Sequence, residues 1–263
     1  MFSETILGKG VVSCSDTPGF LANRVGVFAI QCALYKAFKY KLSPTEADAF
    51  FGRPLGIPKT GVFGLYDLIG IDLMADVVKS LVSILPKNDA FHKYSSPIEF
   101  MTAMIANGQT GNKNEKGFYK QAGDERQVID LSNGNYGTHE RLKTPLLEEA
   151  EKNGISVILK DKSPYGLYIW DVISETLCYA ASLVPEVTED LTKIDDAMKL
   201  GYNWIKGPFE LLDEIGIEYF VKRLKNDGRD VPEFLLKGLN SKFYNNSKSG
   251  LSSLSLDGRL KPI

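Results

Sequence analysis

The sequence predicts an all-α protein built from two tandem helical domains, with a short β hairpin in the linker between them. Two observations support this prediction. Residues 61–72 and 207–218 align without a gap and share seven of twelve residues, at an offset of 146. Long apolar helical patterns also follow the similar openings Thr17-Pro18 and Ser163-Pro164. Dense similarity at a fixed offset is typical of a duplicated unit, so we expect two copies of one helical domain.

The duplication divides the chain into four predicted parts. Residues 1–15 precede the first helical domain, which spans residues 16–120. Residues 121–162 form the linker, and residues 163–263 form the second helical domain with its tail. A chain of 263 residues is long enough for two domains of ordinary size.

Composition limits the class of protein. Hydrophobic residues make up 43% of the chain, charged residues 24%, and the formal net charge is −2. These values are ordinary for a soluble globular protein and provide no broad field for nucleic acid or an anionic membrane. The N-terminus lacks a signal-peptide pattern and no apolar run reaches transmembrane length, so we expect a cytoplasmic protein. Cys14, Cys32 and Cys178 have no CxxC spacing, which predicts neither a disulfide framework nor a metal site.

The first half of the chain predicts a strand followed by helices. Residues 4–14 have a β-type pattern. Thr17 is a potential N-cap with Pro18 as the first helical residue, and the apolar pattern then runs to Phe38. Ser43-Pro44-Thr45-Glu46 is a capping box that starts a short helix before a rigid loop at 52–60. Further helices are predicted over 61–70, from an Asp72 cap to about Leu85, and over about 97–106.

The linker and the second copy follow the same reasoning. Val128 to Leu131 and the turn residues after them predict a hairpin near 127–136. Thr144-Pro145 caps a helix that ends near Gly154. Ser163-Pro164 opens a long helix that ends at Pro185.

Three motifs carry a family resemblance. The first is Asp16-Thr17-Pro18-Gly19-Phe20 followed by Asn23-Arg24, the second is the Gly-x-Phe-x-Leu-x-Asp-x-Ile-Gly-Ile pattern of residues 61–71, and the third is Lys113 followed by Gly117-Phe118-Tyr119. In this order and spacing they resemble the C-terminal helical domain of 3-hydroxyacyl-CoA dehydrogenases. A tandem pair is similar to the arrangement in multifunctional fatty-acid oxidation enzymes, where it follows an NAD-binding domain. The resemblance implies an acyl-CoA substrate and NAD as cofactor.

The resemblance also implies site residues. The family's asparagine that orients the thioester substrate and the catalytic histidine falls on Asn23, and its lysine that reaches the dinucleotide falls on Lys113. Asn114 and Glu115 replace the family's threonine and glycine. If that glycine position needs a positive φ, Glu115 must strain or reroute the turn.

Further substrate-binding candidates lie near the second motif. Lys59 and Thr60 precede the central helix and could line a thioester pocket, although a turn-exposed lysine is the simpler reading. Phe28 and Phe63 are candidates for the wall of that pocket. Arg24 is interpreted as a member of an ion pair, either on the helix surface or between elements, rather than a CoA phosphate ligand.

Other recurring residues are assigned structural roles. Asp67 and Asp213 occupy the same position of the repeat, which favours a structural task such as capping. The pairs Phe118-Tyr119 and Phe243-Tyr244 recur and are expected to seal each core. His92 and His139 are expected to be solvated.

The chain lacks the parts that hydride transfer requires. A dinucleotide cradle needs a Gly-rich turn that opens a helix, and the sequence contains no GxGxxG; its one GxG, Gly8-Lys9-Gly10, opens no helical pattern. Neither histidine has the family's His-x-x-Asn-Pro context. We therefore expect the substrate-side part of a dehydrogenase, with residues 1–15 as a remnant of the preceding NAD-binding domain and that domain separate or missing.

A different class of function remains open. The chain could be a non-catalytic dimerisation or scaffold module, or the remnant of a split gene, since helical domains of this family commonly form a homodimer face. Asn23 would then be an amide that satisfies backbone groups at a helix start. In the second copy Ile169 or Trp170 aligns with Asn23, so that copy is expected to be structural.

Overall fold

The computed structural model describes residues 2–239, 241–247 and 250–263. The chain divides into two compact units. The terminal unit combines the N-terminal residues up to Gly26 with Ser174–Ile263, and the central unit is Val27–Ile173. The division falls inside two long helices rather than at residue 120 or 163, and the predicted domain boundaries stay a prediction.

Helices dominate both units. The first long helix is α2 and its counterpart is α9; the others are shorter. In chain order the helices are α1 Phe2–Thr5, α2 Ala22–Lys39, α3 Pro44–Phe50, α4 Phe63–Ile69, α5 Ile71–Ile84, α6 Glu99–Ala106, α7 Pro145–Asn153, α8 Ile155–Lys160, α9 Pro164–Ser182, α10 Leu191–Tyr202, α11 Pro208–Ile215, α12 Ile217–Asn226 and α13 Glu233–Lys237.

Two small antiparallel sheets correct the all-α prediction. The first contains β1 Tyr119–Ala122, β2 Glu125–Ile129 and β3 Tyr136–Thr138, in the order β1-β2-β3. The predicted hairpin near 127–136 is therefore the second half of a three-stranded sheet.

The second sheet was not predicted at all. It contains β4 Tyr244–Ser247, β5 Gly250–Leu254 and β6 Leu260–Pro262, again in sequential order. Its strands are rich in Ser, Asn and Gly, which have low strand propensity. Pairing within the sheet and burial of Leu254 outweigh that propensity.

The prediction of a strand over residues 4–14 is wrong. The chain forms α1 and then an irregular segment, in which the Ile6 amide donates to the Phe2 carbonyl at 3.0 Å. The Ser15 amide donates to the Val187 carbonyl at 2.9 Å. A strand needs a partner edge, and no strand of the described residues pairs with this segment.

Predicted helix starts are confirmed at several caps and wrong at two. Ser43 forms the full capping box with Glu46, and the Thr144 hydroxyl accepts from the Leu147 amide at 3.2 Å. Thr17 does not cap α2, which begins only at Ala22.

The delay of α2 has a local cause. Gly19 and Phe20 have φ angles of 79° and 50°, which no right-handed helix accepts. The Phe20 amide closes a turn onto the Thr17 carbonyl, and the Thr17 hydroxyl has no hydrogen-bond partner among the described residues. At α5 the cap is Gly70, with Asp72 in the first turn.

Two carboxylates, the half-buried Asp48 and the buried Asp67, organise the core of the central unit. Asp48 accepts from the Phe63 and Gly64 amides at 2.7 and 3.0 Å, so it holds the first turn of α4. Asp67, inside α4, accepts from the Phe118 and Tyr119 amides at 2.8 and 2.7 Å. The Tyr119 hydroxyl then donates to Asp48 at 2.9 Å, which closes the network.

The terminal unit contains the same network with equivalent residues. Asp195 accepts from the Phe209 and Glu210 amides at 2.9 and 3.0 Å, and from the Tyr244 hydroxyl at 2.8 Å. Asp213 accepts from the amides of Phe243 and Tyr244, both at 2.8 Å. The recurring aspartates of the sequence repeat therefore tie a helix to the strand that follows it.

The recurring aromatic residues fill both cores. Phe63 meets Phe118 edge-on, with ring centroids 4.7 Å apart. Phe209 meets Phe243 in the same way at 5.0 Å. All four rings are fully buried, which gives them the core-sealing role expected for the Phe-Tyr pairs.

Candidate functional site

Asn23 lies in the first turn of α2, in the terminal unit, and its side chain is exposed. The Tyr202 hydroxyl donates to its carboxamide oxygen at 3.4 Å. The amide nitrogen of Asn23 has no hydrogen-bond partner within the part of the chain that the structure describes. The carboxamide oxygen of Asn23 is thus engaged while its N–H groups are available. Such N–H groups can donate to an acceptor such as a thioester oxygen.

Tyr202 is held in place by a glycine of α2. A Cβ at Gly26 would lie 2.1 Å from the Tyr202 ring. Only a residue without a side chain allows the ring to rest on the helix there. Gly26 therefore positions the tyrosine that contacts Asn23.

The residue after Asn23 has a structural role. Arg24 is 1% exposed. Its Nε donates to the Tyr179 hydroxyl at 2.8 Å, and its Nη1 lies 3.3 Å from Glu186 Oε1. The predicted ion pair between elements is thus present, although the guanidinium is buried rather than on a surface.

Residues of the second copy that align with Asn23 are buried. Ile169 and Trp170 are 0% and 3% exposed. An apolar buried side chain offers no acceptor and donor pair to a ligand. The amide is a feature of the first opening alone.

Lys113 lies in a 3-10 helix at residues 112–114 of the central unit. Its ammonium is 2.6 Å from Asp72 Oδ2, with both side chains partly exposed. This ion pair holds the pKa of Asp72 below its ordinary value. Lys113 is therefore already paired, and a dinucleotide would have to compete with Asp72 for it.

The turn after Lys113 shows how the family's glycine is replaced. Glu115 has a φ of 55°, in the left-handed region. Glu115 thus adopts a positive φ, a backbone conformation that favours glycine.

Lys59 and Thr60 line an open cleft of about 770 Å³ in the central unit. Lys59 is exposed and Thr60 is half-buried. The cleft lies beside the buried carboxylates, and five of its lining residues are cationic. These residues are Arg53, Lys59, Arg126, Arg141 and Lys143.

The acid at the base of the cleft is Asp48. Burial raises its pKa to about 7, although hydrogen bonds from the Phe63 and Gly64 amides and the Tyr119 hydroxyl oppose the rise. Burial likewise raises the pKa of Asp195 to about 7. Asp48 and Asp195 accept equivalent hydrogen bonds in the two units, although Asp48 is half-buried and Asp195 is fully buried. These bonds give both carboxylates a structural role.

His139 is not the solvated residue that the sequence predicts. It is half-buried, its Nδ1 lies 2.9 Å from the Thr45 hydroxyl, and its ring meets Tyr119 edge-on at 5.4 Å. Burial and the nearby Arg126 charge lower its pKa. His92 is half-buried, with its Nε2 2.9 Å from the Pro86 carbonyl.

Phe28 and Phe63 lie in the core of the central unit. Phe28 is 1% exposed and meets Tyr94 edge-on at 5.6 Å, while Phe63 is 0% exposed between Phe38 and Phe118. Their role as pocket walls stays a prediction, since neither ring reaches the surface.

Sequence reasoning missed most of the cleft. Arg126 and Arg141 lie in the polar linker, which has no motif, and Asp48 lies in an unremarkable short helix. The only available signal was the recurrence of Asp at 48 and 195, which is outside the gap-free repeat. Among the described residues no helix has the length and apolarity to cross a membrane, and no group of three or more His, Cys, Asp or Glu side chains is placed to hold a metal ion.

In comparison with known proteins, one family model matches most of the first predicted domain. Residues 19–121 match the family model described as 3-hydroxyacyl-CoA dehydrogenase, C-terminal domain. The chain is 39% identical over 216 residues to the "Putative fatty acid oxidation complex trifunctional enzyme" of Rickettsia prowazekii (strain Madrid E), covering 81% of this chain and 29% of that protein. It is 35% identical over 253 residues to the "Probable 3-hydroxyacyl-CoA dehydrogenase" of Bacillus subtilis (strain 168), covering 92% of this chain and 32% of that protein.

A solved structure shares the fold. The crystal structure of 3-hydroxybutyryl-CoA dehydrogenase from Escherichia coli K12 matches with a TM-score of 0.60 and 20% identity, over 89% of this chain and 62% of that chain. The chain spans less than a third of the length of the two relatives above. By sequence the chain is thus similar to 3-hydroxyacyl-CoA dehydrogenases, and the solved structure adds a likeness in fold.

Proposed function

We propose that this chain is the substrate-side part of an L-3-hydroxyacyl-CoA dehydrogenase, which oxidises 3-hydroxyacyl-CoA to 3-ketoacyl-CoA with NAD in fatty-acid β-oxidation. The two helical domains form a tandem pair, and a domain outside these 263 residues supplies NAD binding and the catalytic base. The supporting observation is Asn23, an exposed carboxamide at the start of α2 within the residues that match the family model.

Asn23 acts on the acyl-CoA in this proposal. Its oxygen is engaged by Tyr202, so its amide nitrogen is the group that remains to bind the substrate. Holding one acceptor in place limits the orientations of the bound thioester, which lowers the entropic part of the barrier. Lys59 and Thr60 contribute to substrate binding, and Lys113 to the dinucleotide.

The residues of this chain do not fit NAD as a complete site. Gly8 and Gly10 lie in an irregular segment and not at the start of a helix, and a Cβ at Gly10 would meet Leu200 at 2.5 Å. Lys113 is paired with Asp72. The dinucleotide phosphates need several backbone amides at a helix N-terminus, so the proposal places them on the other domain.

Reconstitution tests the proposal. The chain is mixed with the NAD-binding domain of a complete 3-hydroxyacyl-CoA dehydrogenase, and NADH formation from 3-hydroxyacyl-CoA is followed. We expect no activity from either part alone and activity from the mixture. Asn23→Ala should lower kcat/KM of the mixture by about 10²–10³-fold, the loss typical of removing one oriented hydrogen-bond donor.

Asn107→Ala is the matched control. Asn107 is also an exposed asparagine at a helix end, at the C-terminus of α6. Its loss should leave the reconstituted activity unchanged. Two results would contradict the proposal. One is a mixture that stays inactive, and the other is a mixture in which the Asn23→Ala chain is as active as the parent chain.

A second candidate function is a non-catalytic dimerisation module. The terminal unit exposes several large apolar side chains, which are unusual on a free surface when they are contiguous. They include Phe2, Ile6, Leu7, Val11, Phe20 and Leu200, each between 46% and 68% exposed. Light scattering that gives a homodimer mass, together with failed reconstitution, would favour this function.

A further inference from the structure

We propose that the cleft of the central unit binds a small molecule that carries a diphosphate group. The five cationic residues Arg53, Lys59, Arg126, Arg141 and Lys143 line it, and we call this the basic cleft. They come from three separate segments: the loop after α3, strand β2, and the stretch before α7. Three segments of different sequence context thus direct positive charge to one cavity.

The cations of the basic cleft lack carboxylate partners. Within the described ranges 2–239, 241–247 and 250–263, none of the five has an Asp or Glu oxygen within ion-pair distance. Arg126 rests its guanidinium 4.2 Å from the centre of the Tyr119 ring. A guanidinium stacked on a ring keeps its N–H donors available at the edges, which suits a planar array of phosphate oxygens.

The acidic residues of the cleft offset only part of this charge, because five cations face four carboxyl groups. Asp48 and Asp67 each accept two backbone amides, and Tyr119 also donates to Asp48. Burial raises the pKa of Asp67 to about 6, as it does more strongly for Asp48. The remaining acids, Glu148 and Glu151, are exposed residues of α7.

Neutral groups complete a site for a small ligand. Thr45, Thr60, Asn112 and His139 line the cleft and offer hydrogen-bond donors or acceptors. Pro54, Leu68, Leu142 and Leu147 line it as well and provide apolar contact for the rest of the ligand. A volume of about 770 Å³ is within the range of small-molecule sites.

The charge pattern favours a diphosphate over a long polyanion. A diphosphate offers more acceptor oxygens than a single phosphate and spreads them over a greater length, which suits cations that come from three segments. Glu148 and Glu151 place negative charge on the α7 wall, where an extended nucleic acid would be repelled. An acyl-CoA carries a diphosphate, but the proposal depends only on that group and stands whether or not reconstitution yields a dehydrogenase.

Calorimetric titration of the full chain tests the proposal. The probes are inorganic pyrophosphate, ADP, inorganic phosphate, adenosine and a single-stranded RNA oligomer. Pyrophosphate and ADP should bind with one site, phosphate at least about tenfold more weakly, and adenosine and RNA not measurably. Affinity should fall as salt is added, because exposed charges are screened.

Variants locate the binding. Arg53→Gln with Arg141→Gln should weaken pyrophosphate and ADP binding by more than about tenfold. The control is Lys79→Gln with Lys87→Gln, which removes two exposed cations of the central unit outside the cleft and should bind as the parent does. Thermal melting shows whether each variant is folded.

Three results would overturn the proposal. They are absence of pyrophosphate and ADP binding to the parent chain, equal loss in both double variants, and RNA binding tighter than ADP. If the double arginine variant melts at a lower temperature than the parent chain, the single variant Lys143→Gln is titrated in its place. Pyrophosphate affinity equal to that of the parent chain in this variant would also contradict the proposal.

Discussion

Glu115 shows at the residue scale how this chain departs from the family motif. The family's glycine suits a left-handed turn, and Glu115 adopts that turn with a φ of 55°. The left-handed region costs a residue with a Cβ about 1–2 kcal/mol. The turn is thus retained at a cost in stability.

Glu115→Gly should raise the free energy of unfolding by up to about 1 kcal/mol. The gain is smaller than the strain removed because glycine also adds entropy to the unfolded chain. Urea unfolding measures it. Lys116→Gly, one residue later, should destabilise, and equal effects of the two changes would contradict the strain at Glu115.

The contact between Gly26 and Tyr202 also gives a residue-scale prediction. Alanine in place of a helical glycine ordinarily stabilises by about 1 kcal/mol. Gly26→Ala should instead destabilise by about 1–3 kcal/mol, because the new Cβ would lie 2.1 Å from the ring of Tyr202.

Gly201→Ala is the matched control for this contact. Its Cβ would meet Ala22 Cβ at 3.4 Å, an ordinary contact distance. That variant should be neutral or stabilised in the same urea experiment. If both glycines accept alanine equally well, the Tyr202 ring does not rest on α2.

At the scale of elements, the carboxylates decide how a helix is joined to its neighbours. A Cβ added at Gly61 would lie 2.4 Å from Asp48, and a Cβ added at Gly207 would lie 2.2 Å from Asp195. The glycine that opens each repeat is therefore required by the buried aspartate. The sequence shows both glycines, but only the packing shows what lies against them.

Asp48 should make stability depend on pH. Its folded pKa is about 7 and an unfolded aspartate has a pKa of about 3.9. Between these values the unfolded chain is ionised while the folded chain keeps the proton. The free energy of unfolding therefore falls as pH rises from about 4 to 7, by up to about 1.4 kcal/mol per pH unit for this group.

Asp48→Asn should flatten that dependence, since an amide does not titrate. The measurement is urea unfolding at several pH values across the window. Asp76→Asn, at an exposed position of α5, should leave the slope as in the parent. An unchanged slope in Asp48→Asn would exclude Asp48 as the titrating group.

The strands mark the limit of prediction at this scale. Val128 and Ile129 have strand propensity, and the hairpin they predict is part of the first sheet. The strands from Tyr244 onward are polar and carry no comparable pattern. These strands pair with their neighbours in sequence. The contact that anchors them is distant, since Asp213 accepts from the Phe243 and Tyr244 amides, and propensity does not contain it.

At the scale of the whole molecule, the compact units differ from the repeated stretches of sequence. The central unit includes the first part of α9, where the Tyr165 ring stacks on Phe50 at 4.6 Å and Asp171 pairs with Lys36 at 2.7 Å. Both contacts need a residue beyond 120, namely Tyr165 or Asp171. A fragment that ends at 120 loses them.

A fragment of residues 27–173 should therefore unfold more cooperatively in urea than a fragment of residues 16–120. The shorter fragment lacks β2, which pairs with β1, and lacks the partners of Phe50 and Lys36. Circular dichroism follows both transitions. Equal midpoints and slopes would show that residues 121–173 add nothing to the stability of the central unit.

Local chemistry in the sequence determined most helix starts, the duplicated motif and the exposed amide of Asn23. Caps such as Ser43 act within one turn, so they can be recognised from neighbours alone. The second sheet and the basic cleft were decided only by the tertiary structure. Each depends on residues that are distant in the chain: Asp213 accepts from the Phe243 and Tyr244 amides where the second sheet begins, and Arg53, Arg126 and Arg141 meet only when their three segments pack around one cavity.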